Sequence, residues 1–215
     1  MTQRGRELNF SKKPVVACVH LLPTPGAPLY GGSAAQIYDT ALAEAELLLK
    51  HGVDGLLIEN FRDKPFYPDT VPPETIATIA GVGREIVKLA SAVPVGVAVL
   101  RNDAEAALGI AVSIEASFIR VNVHVGAVLA AQGMVKGNSH QTLRSRARLR
   151  SEVAIYADVA VKHSNPFVYK SISQEIKDMA DFTDGFVVSG EKTGIETSPG
   201  SVLEAKESTR KPILI

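Results

Sequence analysis

The sequence predicts an α/β fold, and three observations carry that expectation. Short apolar, β-branched runs recur along the whole chain, helical stretches separate most of them, and the connections on the two sides of the runs differ systematically. Runs this short and this continuously apolar read as strands buried on both faces of a parallel sheet. Alternation with helices then implies right-handed crossovers.

The apolar runs are residues 15–22, 55–59, 95–100, 118–123, 159–161, 185–188 and 212–215. Helical spacing of Ala, Leu and Glu marks 34–51, with Gly52 placed to end the helix. Stretches 73–92 and 103–115 read the same way, and Asp103 suits an N-cap. Residues 171–182 and 199–208 complete the series, the latter with Pro199 in the first turn. Connections leading into runs are tight and often built on Asp or Asp-Gly, as at 51–55, 157–158 and 181–185. Those leaving runs are long and rich in Pro, Gly and aromatics, as at 23–33, 60–72, 125–139 and 190–198. Long loops on one face and tight turns on the other describe a TIM-type (β/α)8 barrel, whose site lies at the strand C-termini. A doubly wound open sheet is the alternative, lowered by the lack of a G-x-G-x-x-G fingerprint after the first strand.

Composition bounds the function. Of 215 residues, 46% are hydrophobic, and 23 basic residues balance 23 acidic ones. This argues against disorder, against a broad nucleic-acid surface and against a polybasic membrane anchor. One cysteine, Cys18, excludes an internal disulfide and fits a reducing, cytoplasmic setting. No run approaches the length of a membrane helix, and no apolar signal core follows the basic N-terminus. The expected organisation is an N-terminal extension over 1–13 and one barrel domain over 14–215.

Polar residues cluster where the strands end. The first run ends at His20, the second at Glu59-Asn60, and the third at Arg101-Asn102-Asp103. In the fourth, Arg120, Asn122 and His124 share one face by the two-residue period, opposite Ile119, Val121 and Val123. The fifth ends at Lys162-His163, with Asp158, Ala160 and Lys162 on one face, and the sixth at Ser189-Gly190. A single such residue is commonly structural, and an Arg inside a barrel often bridges carboxylates. Convergence of six strand ends on one rim points instead to a ligand site there. Glu59, Asp103, His124 and Lys162 are the candidate catalytic residues, Glu59 and Asp103 as acid/base groups. Lys162 reads as an anion contact, or as a Schiff-base nucleophile if desolvated. His20, Asn60, Arg101, Asn102, Arg120, Asn122, His163, Ser189 and Gly190 are the candidate substrate-binding residues. A divalent metal on His20, His124 and His163 with Glu59 or Asp103 is a lesser alternative, because no H-x-H pair stands on the first strand. No cofactor is assigned. The 189–194 segment reads equally as a set of backbone amides suited to an anion or as a plain surface loop, and the aromatic loop 61–68 equally as a lid or as a cluster packed on the barrel top.

Several blocks, taken together, are more specific than any one motif. They are Val19-His20-Leu21-Leu22-Pro23, Gly52-Val53-Asp54-Gly55, Glu59-Asn60-Phe61, Lys64-Pro65-Phe66, Leu100-Arg101-Asn102-Asp103, residues 118–124, Gln132-Gly133 and Val161-Lys162-His163. From about Pro14 onward the chain resembles the BtpA family. The resemblance implies a TIM barrel of the ribulose-phosphate-binding type. The family takes its name from a cyanobacterial factor for photosystem I accumulation at the thylakoid surface, yet relatives occur in non-photosynthetic organisms. It implies no catalytic residue that transfers to this sequence. Family members continue past a strand like 212–215 into an eighth strand and final helix, so the expected barrel is truncated after its seventh strand.

Three functions follow as expectations. One is an enzyme or binder of unassigned reaction for a small polar or phosphorylated metabolite, with the sugar and nucleoside types as candidates. The second is a non-catalytic biogenesis factor for photosystem I, with peripheral membrane association. The third is an inactive truncated form. A small-molecule ligand, no nucleic acid, no transmembrane segment and a homo-oligomer are the expected partner relations.

Overall fold

The computed structural model describes residues 7–190 and 194–215. A 3-10 turn, Phe10–Lys12, precedes β1 (Val16–His20), α1 (Ala34–Lys50), β2 (Gly55–Glu59), α2 (Pro73–Ala90), β3 (Val95–Ala98), α3 (Ala104–Ile114) and β4 (Phe118–Val121). There follow β5 (Ala127–Ala130), β6 (Gly133–Lys136), α4 (Ser139–Arg148), β7 (Ala154–Val159) and β8 (Ser164–Pro166). The chain continues through α5 (Ile172–Met179), β9 (Gly185–Val188), α6 (Pro199–Ser208) and β10 (Ile213–Leu214). Seven strands form one parallel sheet in the order β1-β2-β3-β4-β7-β9-β10, curled as in a barrel.

The two-residue period sorts the strands into two cores. Val19, Leu56, Ile58, Val95, Val97, Ile119, Val121 and Ile155 face outward and pack on α1, α2 and α3 through residues such as Ile37, Ile79, Ile86 and Leu108. Further round, Ala157, Val159, Phe186 and Val188 pack on Ile176, Met179 and Ala205. Inward-facing Leu57, Ala98, Phe118, Tyr156 and Val187 build a separate apolar floor. Within the stretch 1–13 set apart in the sequence, Leu8 is buried in that floor and Phe10 packs on Tyr156 with ring centroids 6.0 Å apart.

Helix ends follow their sequence signals. Ser33, Asp103, Ser171 and Ser198 each accept a backbone N–H from the first turn of the helix that follows. The Asp-Gly turns do more than reverse the chain. Asp54 accepts the Val15 N–H at 2.9 Å and Asp184 accepts the Ile155 N–H at 2.8 Å. Each clamps its strand in register against the neighbour that it pairs with.

Three expectations are corrected. Ala157 and Asp158 lie inside a strand spanning Ala154–Val159, where the sequence suggested a turn followed by a strand at 159–161. Tyr156 and Asp158 point to the barrel interior, so the strand lacks a continuous apolar run. The 125–139 loop contains the hairpin β5–β6, which with β8 forms a three-stranded antiparallel sheet. Helix α4 stands where no helix is expected, since its buried residues are Thr142 and Ser145 and it carries Arg144, Arg146 and Arg148. A helix so polar shows no apolar stripe.

Candidate functional site

Above the apolar floor, the inward positions turn polar. Cys18 and His20 on β1, Glu59 on β2, Arg120 on β4 and Asp158 on β7 converge there. Arg120 makes a bidentate pair with Asp158, Nε to Oδ1 at 2.8 Å and Nη2 to Oδ2 at 3.0 Å. Its Nη1 reaches Glu59 Oε1 at 3.3 Å. Glu59 Oε2 faces His20 Nε2 at 3.5 Å. Asn122 donates to Asp158 Oδ2 at 2.8 Å and accepts from Arg101 Nη1 at 3.3 Å. Arg101 Nη2 donates to the Lys162 carbonyl at 2.7 Å. Glu59, Asp158, Asn122 and Arg101 are all buried. A cavity of about 850 Å³ opens along this inner face, with Cys18, Arg120, Lys162 and Ser189 in its wall.

The electrostatics follow from burial and pairing. Burial opposes ionisation of Glu59, yet the His20 contact and the charges of Arg120 and Lys162 outweigh it and hold its pKa below the ordinary value. Burial likewise opposes the charge on Arg120, and the Asp158 and Glu59 carboxylates more than restore it. Arg101 has amide and carbonyl oxygens as its hydrogen-bond partners, and burial lowers its pKa. Burial first, then the Glu59 charge, push the Cys18 thiol up to about 12.

The loops above are held by buried hydrogen bonds. Asn60 accepts the Leu100 N–H at 2.7 Å and donates to Asp63 at 3.0 Å. Asp63 accepts both the backbone N–H and the hydroxyl of Thr24 at 2.7 Å. These bonds tie the loops after β1, β2 and β3 to one another. Phe61 stacks on His20 with ring centroids 4.4 Å apart, and the Lys64 ammonium sits 4.5 Å over the Phe61 ring.

Not every residue singled out at a strand end joins this cluster. Asn102 pins β3 to β4, accepting the Val123 N–H at 2.8 Å and donating to the Val123 and Lys136 carbonyls. Asp103 caps α3 and accepts the Val71 N–H, which uses both carboxylate oxygens. His163 adopts a positive φ, as does Ala160, so the strand alternation does not extend to Lys162. The Lys162 ammonium makes no hydrogen bond or ion pair among the described residues, but its charge reaches Cys18 and Glu59. The buried Ser189 hydroxyl has no partner among the described residues. Gly190 is required by close approach, because a Cβ there would lie 2.2 Å from the Ile195 carbonyl oxygen. Of the anion-binding segment, Glu191, Lys192 and Thr193 lie outside the described residues. Two members of the cluster carry no strand-end signal in the sequence. Cys18 lies two residues before His20 on the same strand face, and Asp158, grouped by the sequence with Lys162 but also read as part of a turn and given no site role there, lies inside the strand.

His124 leaves the cluster altogether. Its Nε2 donates to the Phe182 carbonyl at 2.7 Å, and its ring is almost wholly buried. Burial lowers its pKa from 6.5, with Arg146 adding to the effect and the Phe182 bond and Asp184 opposing it. The unfolded chain therefore takes up a proton at a higher pH than the folded one does. Stability is expected to fall as pH drops from about 6.5 through the lower folded value. Urea unfolding measured across that range should show this slope, and His124→Gln should remove it.

A family model described as the BtpA family matches residues 11–215. The photosystem I biogenesis protein BtpA of Synechocystis is 42% identical over 183 residues, 84% of this chain and 63% of that protein. An uncharacterized protein of Pyrococcus abyssi is 36% identical, over 97% of this chain and 80% of its own length. An uncharacterized mitochondrial protein of Caenorhabditis elegans is 30% identical, over 100% of this chain and 82% of its own. Among solved structures, a 2,3-dimethylmalate lyase of the PEP mutase/isocitrate lyase superfamily aligns over 94% of this chain and 64% of its own, with 13% identity and a TM-score of 0.57. A dihydropteroate synthase of Xanthomonas albilineans aligns over 99% and 72%, with 16% identity and a TM-score of 0.56. These two establish the fold alone, and no helix among the described residues is long and apolar enough to cross a membrane. Matched by the family model over nearly its whole length, this chain belongs to the BtpA family.

Proposed function

We propose that this barrel binds, and acts on, a small polar anion of the phosphorylated sugar or nucleoside class at its strand C-terminal face. One observation carries the reading. Three cations, Arg101, Arg120 and Lys162, meet two carboxylates, Glu59 and Asp158, in a largely buried cluster. Arg120 holds both carboxylates, so the excess positive charge rests on Arg101 and Lys162. Charge excess beside a low-dielectric floor favours an anion much more strongly than it would in water. Lys162 supplies the direct contact, and Arg101 and Arg120 hold the field behind it. His20 and Glu59 are the groups placed to handle a proton or a cation beside the ligand.

The test is calorimetric titration with a panel of phosphorylated sugars and nucleotides. Lys162→Ala should weaken binding by about 10- to 100-fold, the worth of one charge-assisted hydrogen bond. Equal affinity in both proteins would refute the assignment. The name of the Synechocystis relative offers a second reading, a part in photosystem I biogenesis, favoured by 42% identity over 84% of this chain. Relatives from an archaeon and a nematode span as much of the chain or more, which supports an activity independent of any photosystem.

A further inference from the structure

We propose that Cys18, His20 and Glu59 form a binding site for one divalent transition-metal ion of the Zn²⁺ class. One ligand atom from each residue, a thiol sulfur, a ring nitrogen and a carboxylate oxygen, lies within 4.8 Å of the other two. Backbone register builds this cluster. His20 is paired with Glu59 across β1 and β2, and Cys18 projects from the same face of β1 two residues earlier. Cys18-x-His20 therefore supplies the i, i+2 ligand pair that a search for two histidines on the first strand does not find.

The spacing suits a metal better than a direct bond. His20 Nε2 and Glu59 Oε2 are 3.5 Å apart, too long for a strong hydrogen bond. Two ligands at about 2.0–2.1 Å from a tetrahedral Zn²⁺ are separated by roughly 3.3–3.4 Å. The surroundings orient the ligands as an outer shell does. Arg120 occupies Glu59 Oε1 and leaves Oε2 directed at His20. Phe61 stacked on the imidazole fixes its plane.

Charge and softness narrow the ion. A thiolate and a carboxylate carry two negative charges, equal to the charge of a divalent cation, so the nearby Arg120 and Lys162 keep the metal-loaded site open to an anionic ligand. Thiolate with imidazole selects Zn²⁺ or Co²⁺ over Mg²⁺ or Ca²⁺. On binding, the Cys18 S–H bond breaks, a sulfur–metal bond forms and the proton leaves to solvent, with no change in oxidation state. Three protein ligands leave a fourth position for water or a substrate oxygen, the pattern of a catalytic rather than a structural zinc site.

This assignment deepens the anion-site reading, and the two fail separately. Metal binding is measured with no organic anion present, and anion binding is measured in chelator-treated protein. The full chain, stripped with chelator, is titrated with Co²⁺ and then with competing Zn²⁺. One equivalent of Co²⁺ should give a thiolate-to-metal charge-transfer band, which Zn²⁺ abolishes. Cys18→Ser should lose the band, and Cys18→Ser, His20→Gln and Glu59→Gln should each weaken Zn²⁺ binding by at least about tenfold. Should Cys18→Ser fail to fold by circular dichroism, His20→Gln, altered at a partly exposed ring, carries the test. No band at one equivalent, or unchanged Zn²⁺ affinity in the folded variants, overturns the proposal.

Discussion

Replacing Arg120 with methionine is expected to destabilise the fold by about 3–5 kcal/mol, the cost of stranding buried charge. Both Asp158 and Glu59 lose their cationic partner, and neither carboxylate can turn to water, since their side chains are 0% and 6% exposed. The cost belongs to what is left behind rather than to the worth of the ion pair. Adding Asp158→Asn and Glu59→Gln to Arg120→Met should therefore recover a large part of the loss. Urea unfolding of the single and triple variants measures both. A single variant that loses less than about 1 kcal/mol would show the cluster hydrated rather than buried.

The second large effect lies in the barrel floor. Phe118→Ala should cost about 3–5 kcal/mol, as removal of a buried aromatic ring does. Its ring lies over Gly96, directly across the β3–β4 ladder, where an added Cβ would come within 2.1 Å of the ring. Gly96→Ala alone should cost about 1–3 kcal/mol by overpacking. In a Phe118→Leu background the same change should be close to neutral, because the clashing ring atoms are gone. A double-mutant cycle on unfolding free energies reads the coupling. Additive costs would mean that the ring moves aside freely.

The sequence exposes what obeys a strict period and hides what does not. Residues 119–124 alternate apolar and polar, so the two-residue period by itself puts Arg120 on the inner face. The same rule still holds at Asn122, which bonds Asp158, and fails at His124, because the strand stops at Val121. Asn102 and Asp103 announce themselves as polar groups at a strand end, and Asp103 also as a cap. The hydrogen bonds that occupy them come from Val71, Val123 and Lys136, which no local pattern brings near. Asp158 shows the opposite failure. An acidic residue after Ala looks like a turn until the partner that neutralises it, Arg120, 38 residues away in sequence, is known. The 3.6-residue period finds the helices with an apolar stripe and misses α4, whose buried side chains are hydroxylic.

The order of the large sheet has a consequence for how the chain reaches this structure. Each strand lies beside the one that precedes it along the chain, with only the small β5–β6 and β8 excursions set aside. Every new strand can therefore dock on a template already made, closing one short loop at a time. During synthesis the ribosome releases β1 first, so this strand order lets the sheet grow from β1 towards β10 as the chain emerges. The charges that cannot stand alone arrive in a sequence that suits this growth. Glu59 emerges first and waits for Arg120, and Asp158 appears only once its guanidinium partner is already in place.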